Sequence, residues 1–203
     1  MGTAKASDTL WELLNPEELL AAEVIDHPRM VALYDEFNAG TWDTDFYAGV
    51  IGERPQLVAD VGCGTGSFAI RLAHAGHHVV GVDPSREMLR VARSRSGEEL
   101  VRWIDGDATD LPDEAFDSAI MSGHAFQNLL TDDQVLETLT AVRDRLVPGG
   151  RFMFESRNPA REAWTGWHSA DGEPDVQQTS AGRIEVTWKL LDVDVTFRID
   201  IQS

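Results

Sequence analysis

Three glycines at every second position, Gly62, Gly64 and Gly66, follow a short apolar run, and they carry the first chemical signal in the chain. Glycine lets the backbone approach a ligand closely, and a helix opening after such a loop offers unpaired amides to an anionic group. The spacing narrows the ligand class. A dinucleotide fingerprint places glycines two and five residues after the first, but Ser67 stands at that fifth position. A phosphate-cradling P-loop is excluded because no Gly-Lys-Ser/Thr follows. Three acids, Asp60, Asp83 and Asp107, fall at or just past the ends of neighbouring apolar runs, and His124 follows a fourth such run. Ligands of a parallel α/β sheet bind beyond the carboxyl ends of its strands, where the strand order reverses. These residues therefore fall where a binding crevice is expected. His124 there is a candidate for substrate contact or proton removal.

The elements that must position them follow from the hydrophobic rhythm. Strands are expected at Leu57–Val61, Val79–Val82, Leu100–Ile104, Phe116–Met121 and Phe152–Glu155. Helices are expected at Ser67–Ala75 and Ser85–Arg93, and a longer one starts at Thr131. Thr131-Asp132-Asp133-Gln134 is a capping box, and Val135, Leu139, Val142 and Leu146 trace its buried stripe. Pro148-Gly149-Gly150 is read as the turn into the fifth strand. Apolar runs alternating with amphipathic helices build a parallel sheet through right-handed crossovers. Before the sheet, residues from about Leu10 to Asn38 read as helical pieces broken at Asn15-Pro16 and His27-Pro28. An aromatic connection with Tyr34, Phe37, Trp42, Phe46 and Tyr47 follows them. After the sheet, Asn158 to Gly182 reads as a loop holding Trp164 and Trp167, and Trp188 follows in the next run. Two strictly alternating runs, from Arg183 to Leu190 and from Val193 to Ile201, read as an antiparallel pair.

Composition bounds the rest. In 203 residues, 17 Lys+Arg face 35 Asp+Glu for a formal charge of -18, which disfavours a phosphate backbone as partner. No apolar run approaches the roughly 20 residues of a membrane span, and no signal-peptide pattern opens the chain, so a cytoplasmic protein without membrane or nucleic-acid partners is expected. The single cysteine, Cys63, can form no internal disulfide and reads as a small packing residue rather than a nucleophile. His74, His77 and His78 cluster at the opposite end of the sheet from the crevice and read as solvated histidines, not a metal site. Nothing in the sequence signals an oligomeric state.

Val58-Ala59-Asp60-Val61-Gly62-Cys63-Gly64-Thr65-Gly66 resembles the first motif of class I S-adenosylmethionine-dependent methyltransferases of the small-molecule type. Four further stretches match that family in order: Asp83, Asp107-Ala108, Ser122-Gly123-His124-Ala125-Phe126 and Leu146-Val147-Pro148-Gly149-Gly150. The resemblance spans about Tyr34 to Glu155. It implies a Rossmann-like, doubly wound, mostly parallel α/β sheet with an N-terminal helical cover (1–50), a donor-binding core (51–158) and an antiparallel β insertion (159–203). It also implies a chain that stops before the family's last strands.

The same resemblance implies S-adenosyl-L-methionine as cofactor, a small-molecule acceptor with an N, O or C nucleophile, and no metal. In it, Asp83 holds the ribose hydroxyls, Asp107 and Ala108 read the adenine edge, and Ser122 and Gly123 line the methyl donor. Gly62, Cys63, Gly64, Thr65 and Gly66 form the loop beneath the donor with Asp60, while Pro84, Met88 and Gly106 complete the site. Tyr34 and Trp42 are expected as aromatic cover. Two alternatives share part of this pattern: an NAD-dependent oxidoreductase, whose ribose Asp83 could also hold, and a non-catalytic module that keeps the donor loop.

Overall fold

The structure is a computed structural model that describes residues 26–166, 175–193 and 197–202. The expected helical pieces before residue 26, together with Trp167 and Val195, lie outside the described residues. The chain divides into two compact units, one of residues 37–157 and one joining the residues up to Glu36 with those from Asn158 onward.

The larger unit is built on a five-stranded, all-parallel sheet with strand order β3-β2-β1-β4-β5. Its strands are β1 (Leu57–Val61), β2 (His78–Asp83), β3 (Val101–Asp105), β4 (Phe116–Met121) and β5 (Leu146–Phe154). The order reverses between β1 and β4, and a crevice opens at such a switch point past the strand ends. Val58 and Ile120 pack on one face of the sheet with Phe68, Ile70, Leu72 and Val79. Ala59, Val61, Val80 and Val82 pack on the other with Phe116, Ala119 and Val142. Strands covered on both faces read as continuous apolar runs, which is why β1, β2 and β4 were legible.

In α3 (Ser67–His74), the buried residues Phe68, Ala69, Ile70 and Leu72 give the helix its sheet-facing stripe. Within α4 (Arg86–Ala92), Met88, Leu89 and Ala92 do the same. Ser85, expected inside α4, is its N-cap: Ser85 Oγ accepts the Met88 amide at 3.0 Å. The capping box of α5 (Asp132–Arg145) forms as expected, with Thr131 Oγ1 accepting from the Gln134 amide at 3.2 Å and Gln134 Oε1 accepting from the Thr131 amide at 3.1 Å.

Several elements differ from the expectation. The aromatic connection is helical over most of its length, in α1 (Pro28–Phe37) and α2 (Trp42–Ile51). Pro28, read as a break between helical pieces, begins α1, where its missing amide costs nothing. Tyr47 and Ile51 are buried on α2, which belongs to the same unit as the sheet. Between β3 and β4 stands only a single 3-10 turn, Ala108–Asp110. β3 is shifted by one residue, to Val101–Asp105. β5 begins at Leu146, because Pro148-Gly149-Gly150 is absorbed as an irregularity: Phe116 pairs with Leu146, and Ser118 already pairs with Arg151. His77 is buried at 5% exposure rather than solvated, while His74 and His78 are exposed.

In the smaller unit, the antiparallel sheet has three strands, not two, in the order β6-β7-β8. They are β6 (Asp175–Thr179), β7 (Gly182–Val193) and β8 (Phe197–Gln202). β6 lies in the stretch read as loop, and Val193 ends β7 instead of opening the next strand. Trp164 stands on a 3-10 turn, Ala163–Gly166. Within this unit the tight turn from β6 to β7 meets α1, where Ser180 N donates to Glu36 Oε2 at 2.9 Å.

Candidate functional site

The loop after β1 is folded back onto β2, since the amides of Gly62 and Cys63 both donate to the Val82 carbonyl, at 2.8 and 3.1 Å. Its three glycines answer three different demands. A side chain at Gly66 would place Cβ 2.4 Å from the Trp103 ring of β3, so this glycine is required by packing. At Gly62, Cβ would lie 2.7 Å from Ala125 Cβ in the turn after β4. Gly64, with φ +53°, has no atom within 4 Å of its would-be Cβ. Here the backbone faces open space in a left-handed conformation, as a close-approach ligand surface requires.

Asp83 ends β2 beneath this loop. Its Oδ2 accepts the Gly64 amide at 2.7 Å and its Oδ1 accepts the Ser85 amide at 2.9 Å. The carboxylate therefore fixes both the loop and the start of α4, and each oxygen can accept more than one hydrogen bond. Asp60, in β1, is 1% exposed, and its Oδ1 has no hydrogen-bond partner. Burial, and then the neighbouring charge of Asp83, pushes the Asp60 carboxyl from its ordinary 3.8 up to about 7. An orphaned buried carboxyl beside an open glycine cradle is a place where a ligand cation or donor would be welcomed. Burial, then Asp60 and Asp83, also pushes the Cys63 thiol well up, which keeps it protonated and rules out a thiolate nucleophile.

At the end of β3, Gly106 donates to the Asp83 carbonyl at 3.1 Å. Asp107 is exposed and caps the 3-10 turn: its Oδ1 accepts from the Thr109 amide at 2.8 Å, and Asp110 Oδ2 accepts from the Asp107 amide at 3.0 Å. Ala108 is buried at 2%. After β4, Gly123 and His124 are both left-handed, with φ 62° and 67°. The exposed His124 ring shares its Nδ1 with Gln127 Nε2 at 3.1 Å. An amide nitrogen only donates, so Nδ1 accepts and the neutral ring carries its proton on Nε2.

The sheet thus brings Asp60, Gly62, Cys63, Gly64, Thr65, Gly66, Asp83, Pro84, Gly106, Asp107, Ala108, Ser122, Gly123 and His124 to the carboxyl ends of β1–β4. Met88 is buried at 4% on the first turns of α4. Trp42 opens α2 with 77% exposure. Tyr34 lies on α1, in the other unit. Two side chains went unrecognised from sequence. Glu155, just past β5, accepts from the Tyr47 hydroxyl through Oε2 and from the His124 amide through Oε1, the latter at 3.0 Å. An acid past the last core strand was the available signal. Burial, then the bond to Glu155, pushes the Tyr47 phenol far above its ordinary range, so it stays a donor. Two surface grooves of roughly 490 and 570 Å³ lie along α5, the first reaching the opening residues of β5, at the opposite end of the sheet. Among the described residues no cluster of His, Cys, Asp and Glu could hold a metal, and no helix is long and apolar enough to cross a membrane.

Comparison with known proteins favours one reading of this loop. Residues 58–150 match the family described as "Methyltransferase domain". This stretch of the chain resembles a methyltransferase domain. A demethylmenaquinone methyltransferase of Clavibacter sepedonicus is 39% identical over 110 residues, covering 53% of this chain and 42% of that protein. The chain spans about half the length of most of the curated relatives it matches. Streptomyces venezuelae DesVI shares the fold with a TM-score of 0.63 at 20% identity, over 90% of this chain and 75% of DesVI. The glycopeptide N-methyltransferase MtfA, solved with S-adenosyl-L-methionine, superposes with a TM-score of 0.53 at 15% identity, over 78% of this chain and 74% of MtfA. The matched stretch covers all of β1 to β4 save the first residue of β1, with both helices between them and α5, and ends inside β5.

Proposed function

We propose that the protein is an S-adenosylmethionine-dependent methyltransferase that acts on a small-molecule N, O or C nucleophile. The observation that carries this reading is the open, left-handed Gly64 over the Asp83 carboxylate, next to the orphaned Asp60 oxygen. When bound, S-adenosylmethionine supplies an activated methyl group on a cationic sulfur. Asp83 would hold the ribose hydroxyls, Asp107 and Ala108 the adenine edge, and Asp60 a positive charge on the amino-acid end. The fit is chemical as well as steric. Asp60 is half-ionised near neutrality, so a cation placed beside it draws the carboxyl into its charged form.

Methyl transfer from a sulfonium is an in-line displacement, so positioning the nucleophile supplies most of the acceleration. The turn after β4 is the element that borders the acceptor. His124 presents Nε2–H there, which suits a hydrogen bond to an acceptor oxygen. Taking a proton instead requires the Gln127 amide to rotate, so that its oxygen accepts Nδ1–H and Nε2 becomes the base. An amine acceptor deprotonated by solvent needs no such step. The excess of acid over base across the chain favours neutral or cationic acceptors over polyanions. Trp42 is proposed as aromatic cover on the donor. A thermal-shift panel tests the ligand class: S-adenosylmethionine and S-adenosylhomocysteine should raise Tm and NAD should not. Stabilisation by NAD alone would replace this reading with the oxidoreductase one.

A further inference from the structure

Two consecutive left-handed residues, of which His124 is not glycine, make an expensive turn that something must hold. Inside the turn, Ala125 N donates to the Ser122 carbonyl at 3.2 Å and Gln127 N to the His124 carbonyl at 3.0 Å. The His124 amide donates to Glu155 Oε1 at 3.0 Å. The second Glu155 oxygen accepts from Tyr47, whose ring is 5% exposed and packed in the core with Ile51, Val58 and Phe68. One carboxylate therefore ties the turn to a side chain rooted in the sheet's own core, 108 residues away in sequence from Glu155. The next residue of the turn meets the donor loop. Ala125 Cβ stands 2.7 Å from where a Gly62 Cβ would be, so the two segments are in direct contact.

We propose that Glu155 is a positioning residue that sets the geometry of the donor loop from outside it. Its carboxylate fixes the Gly123–His124 turn, the turn seats Ala125 against Gly62, and the loop beneath the donor is held in its binding shape. Tyr47 is the anchor. Because its phenol stays protonated, it donates to Glu155 across the working pH range. The proposal rests on the donor-site reading above.

S-adenosylhomocysteine is the probe for the test, since it lacks the sulfonium, whose charge would add a direct electrostatic response to the loss of the Glu155 carboxylate. Glu155→Leu removes both hydrogen bonds, and titration calorimetry should show affinity weakened roughly three- to tenfold, a fraction of one charge-assisted bond transmitted through the turn. Glu155→Gln keeps an oxygen for the His124 amide and should bind within about twofold of wild type. Amide hydrogen exchange supplies the second readout: His124 should lose protection in Glu155→Leu and keep it in Glu155→Gln. Tyr47→Phe preserves the core and loosens only the anchor, so it stands in if Glu155→Leu does not fold, with a smaller loss in the same direction. Wild-type affinity in both Glu155→Leu and Tyr47→Phe would overturn the proposal. So would a Glu155→Gln variant as impaired as Glu155→Leu. A wild type that binds no S-adenosylhomocysteine, yet protects the His124 amide, would overturn the donor reading and this proposal with it.

Discussion

Asp60 offers a prediction whose size follows from its surroundings. Burial and the Asp83 charge move its carboxyl from 3.8 to about 7. Below pH 3.8 the group is protonated in both folded and unfolded chains and costs nothing. Between 3.8 and about 7 the native state holds a proton that the unfolded chain has released, so stability falls as pH rises. Above 7 the full cost is present, roughly 4 kcal/mol at about 1.4 kcal/mol per pH unit. Asn is nearly isosteric and cannot ionise, so Asp60→Asn removes this dependence while leaving a buried amide to satisfy, at about 1–3 kcal/mol. At pH 8 the variant should exceed wild type in stability, and by pH 5 that advantage should largely vanish or reverse. Urea unfolding followed by circular dichroism across that range measures the change. The difference between the two proteins should change by roughly 3 kcal/mol, since the carboxylates not coupled to Asp60 cancel in the comparison. Parallel stability curves would refute the argument that burial, rather than a hidden partner, governs Asp60. The variant should also lose affinity for S-adenosylmethionine and S-adenosylhomocysteine alike, since both carry the amino-acid ammonium that Asp60 is proposed to meet.

Gly64→Val should abolish donor binding in a titration. Its stability cost should be confined to the left-handed backbone, about 1–2 kcal/mol, because its Cβ enters open space. Gly66→Ala should cost more in thermal melts, because it adds about 1–3 kcal/mol from the clash with Trp103 to the same left-handed penalty. Thr131→Ala should cost about 0.5–2 kcal/mol by chemical denaturation, as expected for the loss of a helix cap that the structure shows to be formed.

What could be read in the sequence was what local physics writes there. The capping box at Thr131, the doubly covered strands and the alternating glycines each have a signature within a few residues. Asp83 could be placed at a strand end because the apolar run stops there. The misreadings trace to partners that lie elsewhere in the chain. β6, Asp-Val-Gln-Gln-Thr, carries one apolar residue in five and pairs only because β7 lies beside it. Pro148-Gly149-Gly150 has turn chemistry, yet the strand continues through it because its partner β4 pairs on both sides of the irregularity. The reason for Gly66 resides in Trp103 on another strand, and the bond from Tyr47 to Glu155 crosses 108 residues, so no window of sequence contains either.

Asp83 carries the central claim, and titrating both S-adenosylmethionine and S-adenosylhomocysteine into wild type and Asp83→Ala tests it most directly. A carboxylate that holds a ribose contributes about 1.5–3 kcal/mol per charge-assisted bond. The same carboxylate orders the loop through the Gly64 amide. Both effects act on the shared part of the two ligands. The account predicts that the substitution weakens both together, by roughly tenfold to several hundredfold. A loss confined to the charged donor would assign Asp83 to the sulfonium instead, and unchanged affinity for both would contradict the placement of the donor at the ends of these strands.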